Sequence, residues 1–298
     1  MSFQVDTALV QAYKANIELK FQQMGSRLRP TVRNEQQAAE FDFYDRIGAV
    51  DAVEVTTRHA DTPLISTPHD RRRVGLRDFD WADLIDKKDK IRMLADPTSA
   101  YVTNAVMAMG RAQDDVIIQA AFGTAYTGKT GSTAVTFPST SEVAVDYVES
   151  GAAAASNLTI GKLRRARYLL DKAEATTEGE YDLYIVLDPS QIQSLLRSTE
   201  VTSSDYNTVK ALVQGEIDTF MGFKFIKSNR LTKDSNNVRD CICYEREGLL
   251  LASGMEITVD VGPRRDKRNS VQVYVCGSFG STRMWEEKVL RIKCDEDL

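Results

Sequence analysis

The sequence predicts an α+β fold, and three observations predict it. One stretch near residues 97–122 keeps a single apolar face at helical spacing. The part after about residue 180 repeatedly alternates apolar and polar residues, as strands do. Helices and strands do not follow one another in regular βαβ order, which argues against a parallel α/β sheet. At 298 residues the chain is long enough to bury roughly three quarters of its unfolded surface.

The first segment reads as an amphipathic helix, with Val5, Leu9, Tyr13, Ile17 and Phe21 recurring every four residues and Gly25 as its stop. Two readings are open: the apolar stripe packs on its own domain, or it reaches a neighbour. Between residues 53 and 77 polar and charged residues outnumber apolar ones, and Pro63 and Pro68 exclude a helix. A hairpin of that composition buries too little to offset its ordering entropy, so it is either mobile or supported by another surface. Asp96 and Pro97 then suit an N-cap and first helical position, opening a helix over residues 97–122 of roughly 39 Å that ends at Gly123.

A Gly/Thr/Ser-rich loop with short strands near residues 134–137 leads to a second helix over 159–175, with Lys162, Arg164, Arg165 and Lys172 on its outward face. Residues 181–187 form a strand, and Asp188 caps a short helix carrying Ile192, Leu195 and Leu196. A further helix is expected over 205–214, and strands at 223–226, 241–244, 257–261, 271–275 and 289–292. No internal repeat is evident.

Composition narrows the function. The formal charge of −5 argues against a protein that coats nucleic acid through its overall field. No segment is apolar enough to span a membrane, and the N-terminus lacks a basic segment followed by an apolar run. Cys241, Cys243, Cys276 and Cys294 form no CxxC pair, and His59 and His69 lie far upstream, so no metal site is expected and the thiols read as buried. No HExxH, G-x-S-x-G or arranged carboxylate pair is present, so neither catalytic residues nor a cofactor site is expected.

One motif demands a decision. Residues 123–130, GTAYTGKT, satisfy G-x-x-x-x-G-K-[ST], the phosphate-binding loop of nucleotidases. That loop works when a strand precedes it and a helix starts at its Lys, pointing its positive end at the phosphates. Here a long helix precedes Gly123, and the following GSTAVTFP is poor helix material. A P-loop nucleotidase therefore remains a remote alternative, which an ATP-binding test with Lys129→Ala addresses.

Residues 67–76 (TPHDRRRVGL), 96–98 (DPT) with the long helix behind them, 123–128 (GTAYTG), 186–189 (VLDP) and 222–231 (GFKFIKSNRL) together resemble major capsid proteins of tailed bacteriophages. The resemblance spans nearly the whole chain and implies the Hong Kong ninety-seven-like coat fold. It divides the chain into an N-terminal arm (1–52), an extended loop (53–80), a peripheral domain (81–178) with spine helix 97–122, an axial domain (179–262) and a return to the peripheral domain (263–298). It implies a non-enzymatic subunit of the virion capsid that assembles in the host cytoplasm into hexamers and pentamers of an icosahedral shell. That shell would enclose double-stranded DNA without sequence-specific binding. His69, Asp70, Arg71, Arg72 and Arg73, placed at the extended-loop tip, would make inter-subunit contacts. The expected partners are further copies of the chain, a separate scaffolding protein, a portal and a decoration protein. The same fold serves encapsulin-type nanocompartment shells, but the Pro-His-Asp-Arg-Arg-Arg run favours phage.

Overall fold

The computed structural model describes residues 22–54, 56–58, 61–62, 64–86, 98–149, 151–175, 182–197 and 219–297. The chain opens with strands β1 (Arg33–Gln36), β2 (Phe41–Ile47), β3 (His69–Gly75) and β4 (Arg77–Ile85), then helix α1 (Thr98–Phe122). Strands β5 (Ala125–Thr127), β6 (Thr133–Val135) and β7 (Glu142–Val143) precede α2 (Ile160–Lys172), β8 (Leu183–Leu187) and α3 (Pro189–Arg197). Strands β9 (Thr219–Phe220), β10 (Phe223–Lys227), β11 (Val238–Glu245), β12 (Leu249–Arg264), β13 (Ser270–Arg283) and β14 (Val289–Asp295) follow. The expected N-terminal helix lies outside the described residues up to position 21, as do the Asp96–Pro97 start of the long helix and the helix expected over 205–214.

Three sheets form, ordered β7-β14-β11-β8-β10-β9, β1-β12-β13-β4 and β2-β3-β5-β6. The six-stranded sheet carries much of the described core. Ile185, Val186, Leu187, Ile242, Cys243, Tyr244, Val289 and Ile292 are all fully buried on its central strands. Strands buried this completely read as continuous apolar runs rather than clean alternation. Helix α2 starts where Thr159 caps it, its side chain accepting from the Lys162 amide.

Two compact units divide the chain. One comprises the described residues up to Ser26, Asp78–Ala112 and Met255–Ser278. Within it a Cβ on Gly110 of α1 would lie 2.4 Å from the Gly25 carbonyl carbon, so only glycine permits this approach. The other comprises Arg27–Arg77, Gln113–Gly254 and Phe279–Leu298. There the Asp114 carboxylate accepts from the Arg27 and Leu28 amides at 3.2 and 3.1 Å, tying the chain before β1 to the second half of α1.

These boundaries differ from the expected ones. The division placed between residues 262 and 263 falls inside the uninterrupted strand β12. Strand β14, expected in the peripheral return, pairs with β11 along its full length, from Val238↔Asp295 to Tyr244↔Val289. Sheet pairing thus joins segments distant in sequence.

Candidate inter-subunit surface

The five residues expected at a loop tip, His69 to Arg73, instead open a strand. β3 is central in its sheet, pairing antiparallel with β2 from Phe41↔Gly75 to Ile47↔His69 and with β5 through Arg72↔Thr127 and Arg73↔Tyr126. Residues 48–68 connect β2 to β3. The arginine run expected at a loop tip thus lies in a paired strand, because neither the pairing with β2 nor that with β5 is visible in local composition.

Along β3 each residue has a separate fate. Arg72 is fully buried, and its Nη2 donates to Oε1 of Glu286. Burial pushes its guanidinium pKa down, and the Glu286 carboxylate opposes that. Arg46 reaches the same carboxylate at 3.2 Å and donates to the Met284 carbonyl at 2.7 Å. Arg283, also fully buried, approaches Glu286 at 3.7 Å and donates to the Ala121 and Gly123 carbonyls, which lie at the C-terminal end of α1. Three guanidinium groups therefore converge on one carboxylate inside the subunit, and Arg72 is removed from the candidate contact surface.

Asp70 turns toward Arg46, which it pairs with at 2.6 Å, and accepts from the Thr127 hydroxyl. Burial alone would raise its carboxyl, but the hydrogen bonds from Thr127 and Arg46 outweigh that and hold it well below the usual carboxylate range. Arg71 pairs with Asp45 at 3.1 Å on the surface. Arg73 lies across aromatic faces, 5.0 Å from the Phe41 ring and 4.8 Å from the Tyr126 ring. His69 lines a shallow cleft of about 380 Å³ with Asp45, Asp70, Arg71, Gly128 and Lys129.

The sequence GTAYTGKT proves to be a hairpin. β5 and β6 pair through Ala125↔Val135 to Thr127↔Thr133, and the Gly131 amide closes the turn on the Gly128 carbonyl at 3.0 Å. Gly128 and Gly131 have φ of 91° and 62°, which the turn requires of glycine. A strand occupies the place where a phosphate-binding loop needs its helix.

Lys162, expected on an outward face, is fully buried. Its Nζ donates to the Val145, Ser156 and Lys293 carbonyls at 2.9, 2.6 and 2.9 Å, so each of its three protons has an acceptor. Burial lowers its pKa. Cys241, Cys243 and Cys294 are buried free thiols. A Cys294 hydrogen bond and burial push the Cys241 thiol up, while burial does the same to Cys243. Among the described residues no group of three or more His, Cys, Asp or Glu is placed to hold a metal ion.

A family model described as phage capsid protein matches residues 5–296. No curated relative matches the chain at the sequence level. Among solved structures it is similar to the capsid of Ralstonia phage GP4, with a TM-score of 0.77 and 11% identity over 96% of this chain and 95% of that one. The head structure of Helicobacter pylori bacteriophage KHP40 gives 0.74 and 10% over 99% and 98%. The capsid of cyanophage P-SCSP1u gives 0.72 and 12% over 98% and 94%. At such identities these likenesses establish the fold.

Proposed function

The chain belongs to the phage capsid protein family, and from that premise we propose that it forms the hexamers and pentamers of an icosahedral shell around double-stranded DNA. As a structural subunit of the virion capsid it carries out its role through repeated contacts with copies of itself. No catalysis is part of the proposed role, and a scaffolding protein, a portal and a decoration protein complete the proposed set of partners. Residues 78–122 and 255–278 are assigned to the peripheral domain, with α1 as its spine helix, and the six-stranded sheet to the axial domain.

The observation that carries the inter-subunit reading is the connection between β2 and β3. Leu64 is 98% exposed and Val53 56% exposed, and Val50 and Ile65 are also uncovered. These uncovered apolar side chains support a contact with a neighbouring copy along this connection. In a closed shell each weak contact recurs around every subunit, so contacts of about 0–1 kcal/mol combine while misplaced subunits still exchange. The test is electron microscopy of the purified full chain under assembly conditions. Closed shells of uniform size are the expected result; a monodisperse monomer under all assembly conditions would refute the reading.

A further inference from the structure

Strands β12 and β13 are neighbours in their sheet, and residues 265–269 join them. Around this tip Arg264, Arg265, Lys267 and Arg268 stand within five positions, all exposed, against the single carboxylate of Asp266. Arg264 neutralises that carboxylate, its Nε donating to both oxygens at 2.9 and 3.1 Å. Among the described residues the side chains of Arg265, Lys267 and Arg268 have neither a hydrogen-bonded nor an ion-paired partner. Three cations are thus left over at one point of a chain whose formal charge is −5.

The tip is a built turn. Arg265–Lys267 form a 3₁₀ turn, and Arg268 and Asn269 follow it in the left-handed region, with φ of 53° and 57°. The hydroxyl of buried Ser270 donates to the Lys267 carbonyl at 2.7 Å and closes it. A right-handed turn followed by left-handed residues gathers successive backbone N–H groups around a concavity that suits phosphate oxygens.

Composition separates a nucleic acid from a protein as the partner. Protein interfaces centre on buried aromatic or aliphatic anchors, and Pro263 is the only apolar side chain among residues 263–269. A phosphodiester backbone requires only cations and backbone donors. The negative charge of the chain as a whole disfavours a polyanion elsewhere on its surface and leaves this point to receive it.

We propose that the β12–β13 tip is a sequence-independent contact for the phosphate backbone of double-stranded DNA, made by Arg265, Lys267 and Arg268. The choice of DNA among polyanions rests on the shell-forming reading above. A single tip binds weakly, and the copies of the chain in one particle present it many times to the same molecule.

The test is fluorescence anisotropy of two labelled DNA duplexes of unrelated sequence, titrated with the unassembled full chain between about 20 and 200 mM salt. Equal affinity for both is expected, with log K falling against log salt at a slope of about −2.7, the value for three neutralised phosphates. Arg265→Ala, Lys267→Ala and Arg268→Gly together, the glycine keeping the left-handed turn, lower affinity at least about tenfold at about 50 mM salt and flatten the slope. Asp266→Asn frees Arg264 as a fourth cation; it tightens binding about tenfold at that salt and steepens the slope to about −3.6, a gain that a misfolded tip does not give. Absence of duplex binding at the lowest salt would overturn the proposal, as would equal affinity and slope for the triple variant and the parent. Tighter binding of labelled poly-glutamate than of duplex at matched charge would overturn it too, by pointing to an acidic protein. Electron microscopy of the same preparations separates the two readings. Closed shells without duplex binding leave the shell-forming reading standing and overturn this one, whereas duplex binding lost in the triple variant supports the tip contact whether or not shells form.

Discussion

Glu286→Ala isolates the charge cluster that removed Arg72 from the surface. In the parent, Arg72 and Arg283 are fully buried and Glu286 is 16% exposed by side chain, with Arg46 as the third cation around it. Removing the carboxylate leaves two buried guanidinium groups without their anion, while their hydrogen bonds to carbonyls persist. Breaking a buried pair from one side costs about 3–5 kcal/mol, because the surviving charge stays desolvated. That is a large share of a total stability of about 5–15 kcal/mol. The surface pair Arg71–Asp45, with side chains 41% and 69% exposed, supplies the internal comparison: Arg71→Ala costs about 0–1 kcal/mol. Urea denaturation of unassembled subunits, followed by tryptophan fluorescence, measures both, since Trp285 sits beside the cluster, 5.1 Å from the Arg46 guanidinium. Glu286→Ala should lower the midpoint severalfold more than Arg71→Ala. A Glu286→Ala subunit within about 1 kcal/mol of the parent would refute the argument, since a real buried pair cannot be opened so cheaply.

Two further predictions follow from buried charge. Lys162→Met keeps the aliphatic volume but leaves the Val145, Ser156 and Lys293 carbonyls without their donor; a loss of about 1–3 kcal/mol is expected, and a neutral or stabilising result in the same denaturation assay would show that the charge itself was the greater burden. Asp70 has a folded-state pKa below its ordinary value, so its stabilisation is complete above the unfolded pKa of about 3.9 and is lost as pH falls through the folded value. Asp70→Asn should therefore show a shallower decline in urea midpoint below about pH 4 than the parent, and superimposable acid limbs would count against the Arg46 and Thr127 bonds.

Local spacing made the helices legible: the expectation for residues 97–122 meets α1 at Thr98–Phe122, and that for 159–175 contains α2 at Ile160–Lys172. Buried charge was less legible. Lys162 stands one turn before Ala166 and two before Leu170, on the same helix face, and all three are fully buried. Arg72 stands two residues before Val74 on the same strand face, and both are buried. Each residue shares the register of buried apolar neighbours. The partners that make such burial tolerable, Glu286 for Arg72 and the carbonyl of Lys293 for Lys162, lie too far along the chain for spacing to find. A charged residue on the register of buried apolar ones is thus a signal of a distant partner rather than of solvent. The same rule sorts the arginines of β3: Arg72, in register with Val74, pairs with Glu286 inside the subunit, whereas Arg73, on the opposite face, lies across the Phe41 and Tyr126 rings.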